Sequence, residues 1–456
     1  MINSLQAKNF KSWSDTGKLE LAPLTGLFGT NSSGKTSILQ LLLMLKQTVE
    51  SSLSTGSTLS MGGDDNSLVD LGTFRDLIHN HNNDTQLDIE LSWDIPEELK
   101  DDKTEKVFSQ IKELTFSVSI IKEEEKTGPV VKSFAYSFDN KKFGMSRKKK
   151  ENEEVYYDLI SNGYIVKRNR GRQWLLPSPI KCYGFPAEVR AYYQKVGFLS
   201  DFELYFGKLF SQIAYLGPLR DYPKRNYLWN SNKPTDVGKK GEHTISALLI
   251  SEQSPKKSIA FGRGSKKKAE TVEERVGHWL KELGMIHKYS LKPIAKDRKE
   301  YELKVQKTAT SAEVLITDVG FGVSQILPIL VLCYYVPEGS VIILEQPEIH
   351  LHPSAQAVLA DVFIEVVKSR KVQIILESHS EHLLRRLQRR IAEEKISNDE
   401  TALYFCSMEN SASKIEKLNV DQFGNIINWP KNFFGNEMEE RVAMIDASIK
   451  RQQRTP

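Results

Sequence analysis

Eight residues constrain this chain more than any others: Gly29-Thr30-Asn31-Ser32-Ser33-Gly34-Lys35-Thr36. They fill every fixed position of a phosphate-cradling loop, and the flanks agree. An apolar stretch, Leu24–Phe28, precedes them as a strand would. The run Ser37–Val49 follows, and its apolar residues wrap right round a helical wheel, which predicts a buried helix. Glycines let the backbone curl so that successive N–H groups point at one anion, and the helix N-terminus adds a positive field. Lys35 is placed for the β- and γ-phosphates of a nucleoside triphosphate, and the Thr36 hydroxyl for Mg²⁺. Asn31, Ser32, Ser33, Gly34 and Ser37 complete the expected contacts, and ATP with Mg²⁺ is the expected ligand.

Three later segments bear on the same chemistry. Val341-Ile342-Ile343-Leu344-Glu345 is an apolar strand ending in a carboxylate, which pairs Glu345 with Thr36 as candidate metal ligands. Gly320-Phe321-Gly322-Val323-Ser324-Gln325 opens a second apolar helix, so Gly320, Gly322, Ser324 and Gln325 offer another anion-facing helix start. Gln325 lies 20 residues before Glu345. Glu377-Ser378-His379-Ser380 comes later, with 33 residues from Gln346 to His379, and His379 can hydrogen-bond a γ-phosphate. Taken singly, the Gly-Phe-Gly turn also reads as packing and His379 as a structural histidine. Their order favours one shared site.

At 456 residues the chain exceeds one ordinary domain of roughly 100–200 residues. Strands alternating with helices indicate an α/β fold with a parallel sheet. The expected division is an N-terminal part of a head at 1–86, an inserted β/α region at 87–214, the rest of the head at 215–430, and a tail at 431–456. The insertion shows strand-like runs at Leu87–Trp93, Leu114–Ile121, Val130–Phe138 and Val155–Lys167. Charged turns at Glu123–Lys126 and Arg147–Lys150 separate them, and Ala187–Ile213 reads as helical. Ser51–Asp65, Lys224–Gly241 and Ser254–Lys268 read as loops. Glu313–Asp318 reads as a strand, and the chain is expected to end in β segments at Leu403–Phe405, Lys414–Leu418 and Asn425–Trp429, with a fraying tail.

The net charge is +4, from 63 basic and 59 acidic side chains, so the chain carries no excess of the size expected of a dedicated nucleic-acid binder. The basic runs Arg147–Lys150 and Lys266–Lys268 read as solvated loops, with a salt-dependent DNA or RNA backbone contact as the alternative. Cys182, Cys333 and Cys406 are odd in number and far apart, which fits a reducing cytoplasm better than secretion. No run approaches the roughly 18 apolar residues of a membrane span; the longest, Ile326–Val336, is broken by Pro328. No membrane association is expected.

The order of these motifs resembles the ATPase heads of the ATP-binding-cassette class, in their chromosome-maintenance and overcoming-lysogenisation branches. Glu345-Gln346-Pro347-Glu348-Ile349-His350-Leu351-His352 lies over that class's acidic Walker B and D-loop segment. Phe321–Gln325 lies over the signature and His379 over the switch histidine. Asn9-Phe10-Lys11-Ser12 resembles the strand that borders the nucleotide, which adds Lys11 and Ser12 to the expected contacts. The resemblance covers roughly 1–50 and 215–430. It implies a P-loop NTPase fold, an ABC-ATPase-like head, working as a homodimer or larger homo-oligomer in which one protomer's signature completes another's phosphate site.

A narrower resemblance rests on Tyr215–Arg220, Glu345–Pro353, Glu377–His382 and Trp429–Phe434. These segments are similar to stand-alone bacterial ATPases of anti-phage defence, in particular the ATPase subunit of the Septu system. That resemblance implies an HNH-type nuclease partner and contact with phage or cellular DNA through the complex. The alternative is a DNA-repair or chromosome-type ATPase that acts on DNA itself; a third reading is a nucleotide-binding structural protein.

The departures are informative. The class has Asp then Glu where this chain has Glu345 then Gln346, and an amide accepts no proton from an attacking water. Glu348 is the replacement base within reach, and slow or regulated hydrolysis is expected. Gly322 stands at the signature serine, with Ser324 as substitute hydroxyl. Glu348, His350, His352 and His379 also read as a metal cluster, though Pro353 and the D-loop position weigh against it. Arg220 reads either as a salt-bridge partner of Asp221 or another acid, or as an arginine acting near the nucleotide. Arg385, Arg386, Arg389 and Arg390 read as a solvated or interface face.

Overall fold

A computed structural model describes residues 1–456 except 53–57, 66, 83, 96–110, 124–127, 151–154, 170–174, 230–231, 254–258, 262–267, 297, 431–436 and 453–456. Parts of the expected Ser51–Asp65 loop, of the Glu123–Lys126 turn, of the Ser254–Lys268 loop and of the Trp429–Phe434 motif therefore lie outside the described residues, as do Lys266 and Lys267.

A six-stranded sheet carries the candidate site. Its order is Ile213–Leu216, Val341–Glu345, Gln373–Glu377, Leu24–Gly29, Thr401–Glu409, Ala412–Lys417. The first five strands are parallel and only the last pair is antiparallel. Buried on both faces, these strands read as continuous apolar runs instead of alternating ones. Alternate residues still divide: Val341 and Ile343 enter one core, Ile342 and Leu344 the other. Parallel register brings Gly29, Glu345 and Glu377 to one end of the sheet, where Glu345 faces Glu377 and Glu377 faces Leu27 across the ladders. Open α/β sheets bind ligands at that carboxyl end.

The core on one face is shared with a second, eight-stranded antiparallel sheet. This sheet runs across the 86/87 boundary, because Ile2–Phe10 pairs with Leu87–Asp94. Glu113–Lys122, Pro129–Phe138, Lys141–Lys149 and Val155–Asn162 follow in order. Period-two alternation aims Leu114, Phe116, Val118 and Ile120 inward, onto the helix Leu199–Ser211. The helix Lys35–Glu50 joins the same core through Leu39 and Leu41–Leu45. On the other face of the parallel sheet lie the helices Gly322–Tyr335, Pro353–Arg370 and Glu381–Ala392.

Several local expectations change. Arg147–Lys149 belongs to the strand Lys141–Lys149 and not to a turn; Arg147 faces Tyr157 across the ladder and its guanidinium pairs with Glu123, so an edge hairpin accommodates the basic run. Ala187–Ile213 splits into helices Ala187–Tyr192 and Leu199–Ser211, interrupted at Lys195 with φ 52°. Glu313–Leu315 pairs with Glu300–Gln306 in a separate four-stranded sheet, and Ile316–Asp318 is a 3-10 turn leading to the signature. Asn425–Trp429 is not a strand; one bridge, Val420 to Ile426, closes a turn through Gly424. The tail contains a helix, Glu437–Gln452.

Candidate nucleotide site

The loop's shape follows from its glycines. Gly29 ends its strand at φ 138°, where a Cβ would stand 2.0 Å from the Cys406 carbonyl oxygen. Gly34 has φ 87°, and a Cβ there would stand 2.5 Å from Ser413 Oγ and 2.8 Å from Ser12 Oγ. Those two hydroxyls are 2.6 Å apart, and Trp13 Nε1 donates to the Gly34 carbonyl at 3.1 Å, so Ser12 stands against the loop. Gly34 caps the following helix with no side-chain acceptor, and the first turn holds no acid. The positive end of that helix therefore points at the loop with no acid of its own first turn to offset it. Asn31 and Ser32 are exposed on the loop, and Ser32 has φ 59°.

Lys35 is buried, and its Nζ donates to the carbonyl oxygens of Thr30 (2.6 Å) and Gly29 (3.2 Å) and lies 3.4 Å from Ser33 Oγ. Burial lowers its pKa, against the charges of Glu377 and Glu348. Thr36 Oγ1 donates to Glu377 Oε2 at 2.6 Å. Ser37 follows on the first helical turn. Lys11 lies alongside, its Nζ donating to Gln40 Oε1 at 2.6 Å.

Glu345 accepts from the Tyr215 hydroxyl at 2.9 Å. Burial pushes its carboxyl up to about 7, Tyr215 opposes this, and neighbouring Glu377 adds to it. Two carboxylates on adjacent strand ends favour a cation between them. With the Thr36 hydroxyl they form a set of hard oxygen donors, which fits Mg²⁺. Gln346 has φ 43°, and its amide donates to the Glu377 carbonyl at 3.0 Å. Glu348 is buried and accepts from the His379 amide at 2.6 Å, which ties the two acid-bearing loops together. Burial raises the Glu348 pKa. His379 is half-buried; burial lowers its pKa and the Lys35 ammonium lowers it further.

The Gly320–Gln325 turn, where the signature is expected, sits beside the 346–352 loop of the same chain. Phe321 meets His350 edge-on at 5.1 Å and Tyr222 at 5.3 Å between ring centroids. Gly320 is exposed, while Gly322 packs near Met285 and the His350 carbonyl. Ser324 turns inward and donates to the Phe321 carbonyl at 2.7 Å, and Gln325 is buried. His352 caps the next helix through Nδ1, which accepts from the Ser354 amide at 3.3 Å.

Two residues escaped the sequence reading in these roles. Glu377 is the acid on Thr36, and Tyr215 holds Glu345. A signal existed for Glu377: Ile-Ile-Leu-Glu occurs twice, at 342–345 and 374–377, each time as an apolar strand ending in an acid. Arg220 does not pair with Asp221; its Nη2 reaches the carbonyls of Glu345 and Gln346. Arg385, Arg386, Arg389 and Arg390 pair with Glu381, Asp361 and Glu393 on their own chain.

The chain is similar to known proteins over most of its length. A family model described as an AAA ATPase domain matches residues 1–167 and 233–384, more than half of the chain. A second model, described as a protein of unknown function, matches residues 396–442. Among solved structures, the chain is similar to the SMC head domain from Thermotoga maritima at 12% identity, covering 92% of this chain and 99% of that one, with a TM-score of 0.38. It is also similar to an Smc head bound to the C-terminal winged-helix domain of ScpA, at 11% identity and a TM-score of 0.45, covering 92% of this chain and 98% of that one. No curated protein matches the chain.

Proposed function

This chain belongs to the AAA ATPase domain family, and we propose that it binds ATP with Mg²⁺ at Gly29–Thr36 and hydrolyses it slowly, under control of its assembly. The observation that carries this reading is the Thr36–Glu377 bond at 2.6 Å, which joins the phosphate loop to the acid-bearing end of the sheet. Thr36, Glu345 and Glu377 are the residues that would hold Mg²⁺, which when bound offsets charge on the β- and γ-phosphates. Lys35 and the uncapped helix start bind and orient the triphosphate, and neutral His379 donates to the γ-phosphate. Gln346 offers no proton acceptor, so Glu348 serves as base, from a buried position that limits its ionised fraction. Titration with a fluorescent ATP analogue and Mg²⁺, followed by single-turnover hydrolysis, tests both parts. Brisk hydrolysis that survives Glu348→Gln contradicts the assignment of the base.

Assembly enters through the surface around the signature. Leu219 and Tyr222 are 77% and 76% exposed, and Phe321 lies beside Tyr222. Exposed apolar side chains at the phosphate-facing turn support pairing with a second copy. ATP then shifts the oligomer by binding one state more tightly than another. The motifs of the Septu type support a role as the ATPase subunit of an anti-phage complex, scaffolding an HNH-type nuclease that meets phage or cellular DNA. On this reading residues 87–214 form an interaction lobe on a head built from 1–86 and 215–430. Three buried, free cysteines suit a cytoplasmic setting, and among the described residues no helix is long and apolar enough to cross a membrane. Co-purification with the product of a neighbouring nuclease gene supports this role; turnover stimulated by DNA alone supports a motor instead.

A further inference from the structure

Two buried side chains of opposite charge stand beside the Glu345–Gln346 turn without completing each other. Arg220 is 6% exposed, and its Nη2 reaches the carbonyl oxygens of Glu345 and Gln346 at 3.5 and 3.4 Å. Its Nε and Nη1 have no hydrogen-bond partner. Glu348 is also 6% exposed; Oε1 accepts from the His379 amide, and Oε2 has no partner. The carboxylate is the charge that supports the guanidinium against burial, yet the two form no direct ion pair. Buried polar atoms without a partner are stable only when a further polar group joins them. Both groups stand at the phosphate-loop end of the sheet: Glu348 is bonded to the His379 amide, and the amide of the preceding Ser378 donates at 3.0 Å to the Leu27 carbonyl, on the strand that leads into the loop.

Resting on the nucleotide reading above, we propose that Arg220 and Glu348 hold one water molecule between them, and that Arg220 is the positioning residue for that water. Arginine suits the task because its planar fork can grip the turn carbonyls through Nη2 and still present an N–H to a water; a lysine ammonium cannot keep that geometry. The water oxygen accepts from Arg220, and one water hydrogen is given to Glu348 Oε2. Its remaining lone pair is left for the γ-phosphate. In the step, the water oxygen bonds to the γ-phosphorus as the bond to the β–γ bridging oxygen breaks. That electron pair leaves on ADP, and the water proton passes to Glu348 Oε2, which later releases it to solvent. Gln346 takes no part beyond its place in the turn that Arg220 holds.

Wild type, Arg220→Lys, Arg220→Gln, Glu348→Gln and the Arg220→Gln/Glu348→Gln double variant are compared by three readouts. These are affinity for a fluorescent ATP analogue with Mg²⁺, the pH profile of single-turnover hydrolysis, and the thermal midpoint without nucleotide. All variants are expected to bind the analogue within about threefold of wild type, because Arg220 and Glu348 act on the water and not on the bound phosphates. Arg220→Gln slows hydrolysis and moves the acid limb of the profile up by about one pH unit, since a lost neighbouring cation makes the base harder to ionise. Arg220→Lys restores the limb but not the full rate. Without nucleotide, the double variant loses less thermal stability than the two single losses added together, because neither charge is then stranded. Additive losses and an unmoved limb overturn the proposal, while a wild-type protein that fails to bind the analogue overturns the nucleotide reading itself.

Discussion

Beneath the antiparallel sheet the core is aromatic. Phe206 lies against Phe116 at 4.7 Å, Tyr183 at 4.6 Å and Phe210 at 4.7 Å between ring centroids, and Tyr136 stacks on Phe202 at 5.2 Å. At the carboxyl end of the parallel sheet, Lys35, Arg220, Glu345, Glu348 and Glu377 are as deeply buried, but they are charged or titratable. The first region gains from burial without a polar cost. The second leaves two nitrogens of Arg220, one oxygen of Glu348 and the Gln325 amide nitrogen without partners. Such strain persists only where the surrounding fold enforces it and a ligand can relieve it. The aromatic core and the flanking sheet enforce it here; on the proposed function, the phosphates of a nucleotide answer Lys35, its cation answers the paired acids, and a water answers Arg220 and Glu348.

This contrast breaks if the two regions respond alike to substitution. The largest effect is expected at Phe206→Ala, which opens the centre of the aromatic core and costs roughly 3–5 kcal/mol in urea unfolding. Its affinity for an ATP analogue, measured where the variant is still folded, stays at the wild-type value. Lys35→Ala is the converse. Analogue affinity falls on the order of 100-fold, consistent with a lost charge-assisted contact, while unfolding stability holds or rises because a buried ammonium is gone.

A pH series sharpens the contrast further. The Glu345 carboxyl is raised from 4.5 to about 7. The folded state therefore holds a proton that the unfolded chain releases earlier. This contribution is complete below the unfolded value and fades as pH rises through about 7, opposite to an ordinary paired carboxylate. Without nucleotide, wild type is expected to lose about 3 kcal/mol between those limits relative to Glu345→Gln. Equal slopes for the two proteins would show that burial does not raise the Glu345 carboxyl above its unfolded value. The smallest effect is expected at Gln346→Asn. Asparagine tolerates φ 43°, and no proton acceptor is lost, so single-turnover hydrolysis changes by less than about threefold.

What the sequence revealed follows from what is local. The phosphate loop is local: its glycines, lysine and threonine are consecutive, and the flanking apolar runs mark the strand and helix. The buried strands of the parallel sheet announce themselves as Val-Ile-Ile-Leu and Gln-Ile-Ile-Leu. Non-local pairing is hidden. Nothing in Ile2–Phe10 indicates that Leu87–Asp94 will pair with it, which is why a boundary drawn at 86/87 runs through a sheet. Polar partners are hidden for the same reason: Thr36 meets Glu377 and Arg220 meets the Glu345 carbonyl only after the strands align in register. Composition misled at Arg147–Lys149, where consecutive basic residues suggest a turn but alternate across a strand.

The central claim is that the charged end of the sheet is a triphosphate site, and equilibrium titration tests it most directly. Purified wild type and Lys35→Ala are each titrated with a fluorescent ATP analogue, with Mg²⁺ and with excess EDTA. The expected result is saturable binding by wild type that weakens without Mg²⁺ and falls on the order of 100-fold in Lys35→Ala, with both proteins equally folded by circular dichroism. Equal binding by the two proteins, or no binding by folded wild type, would contradict the account.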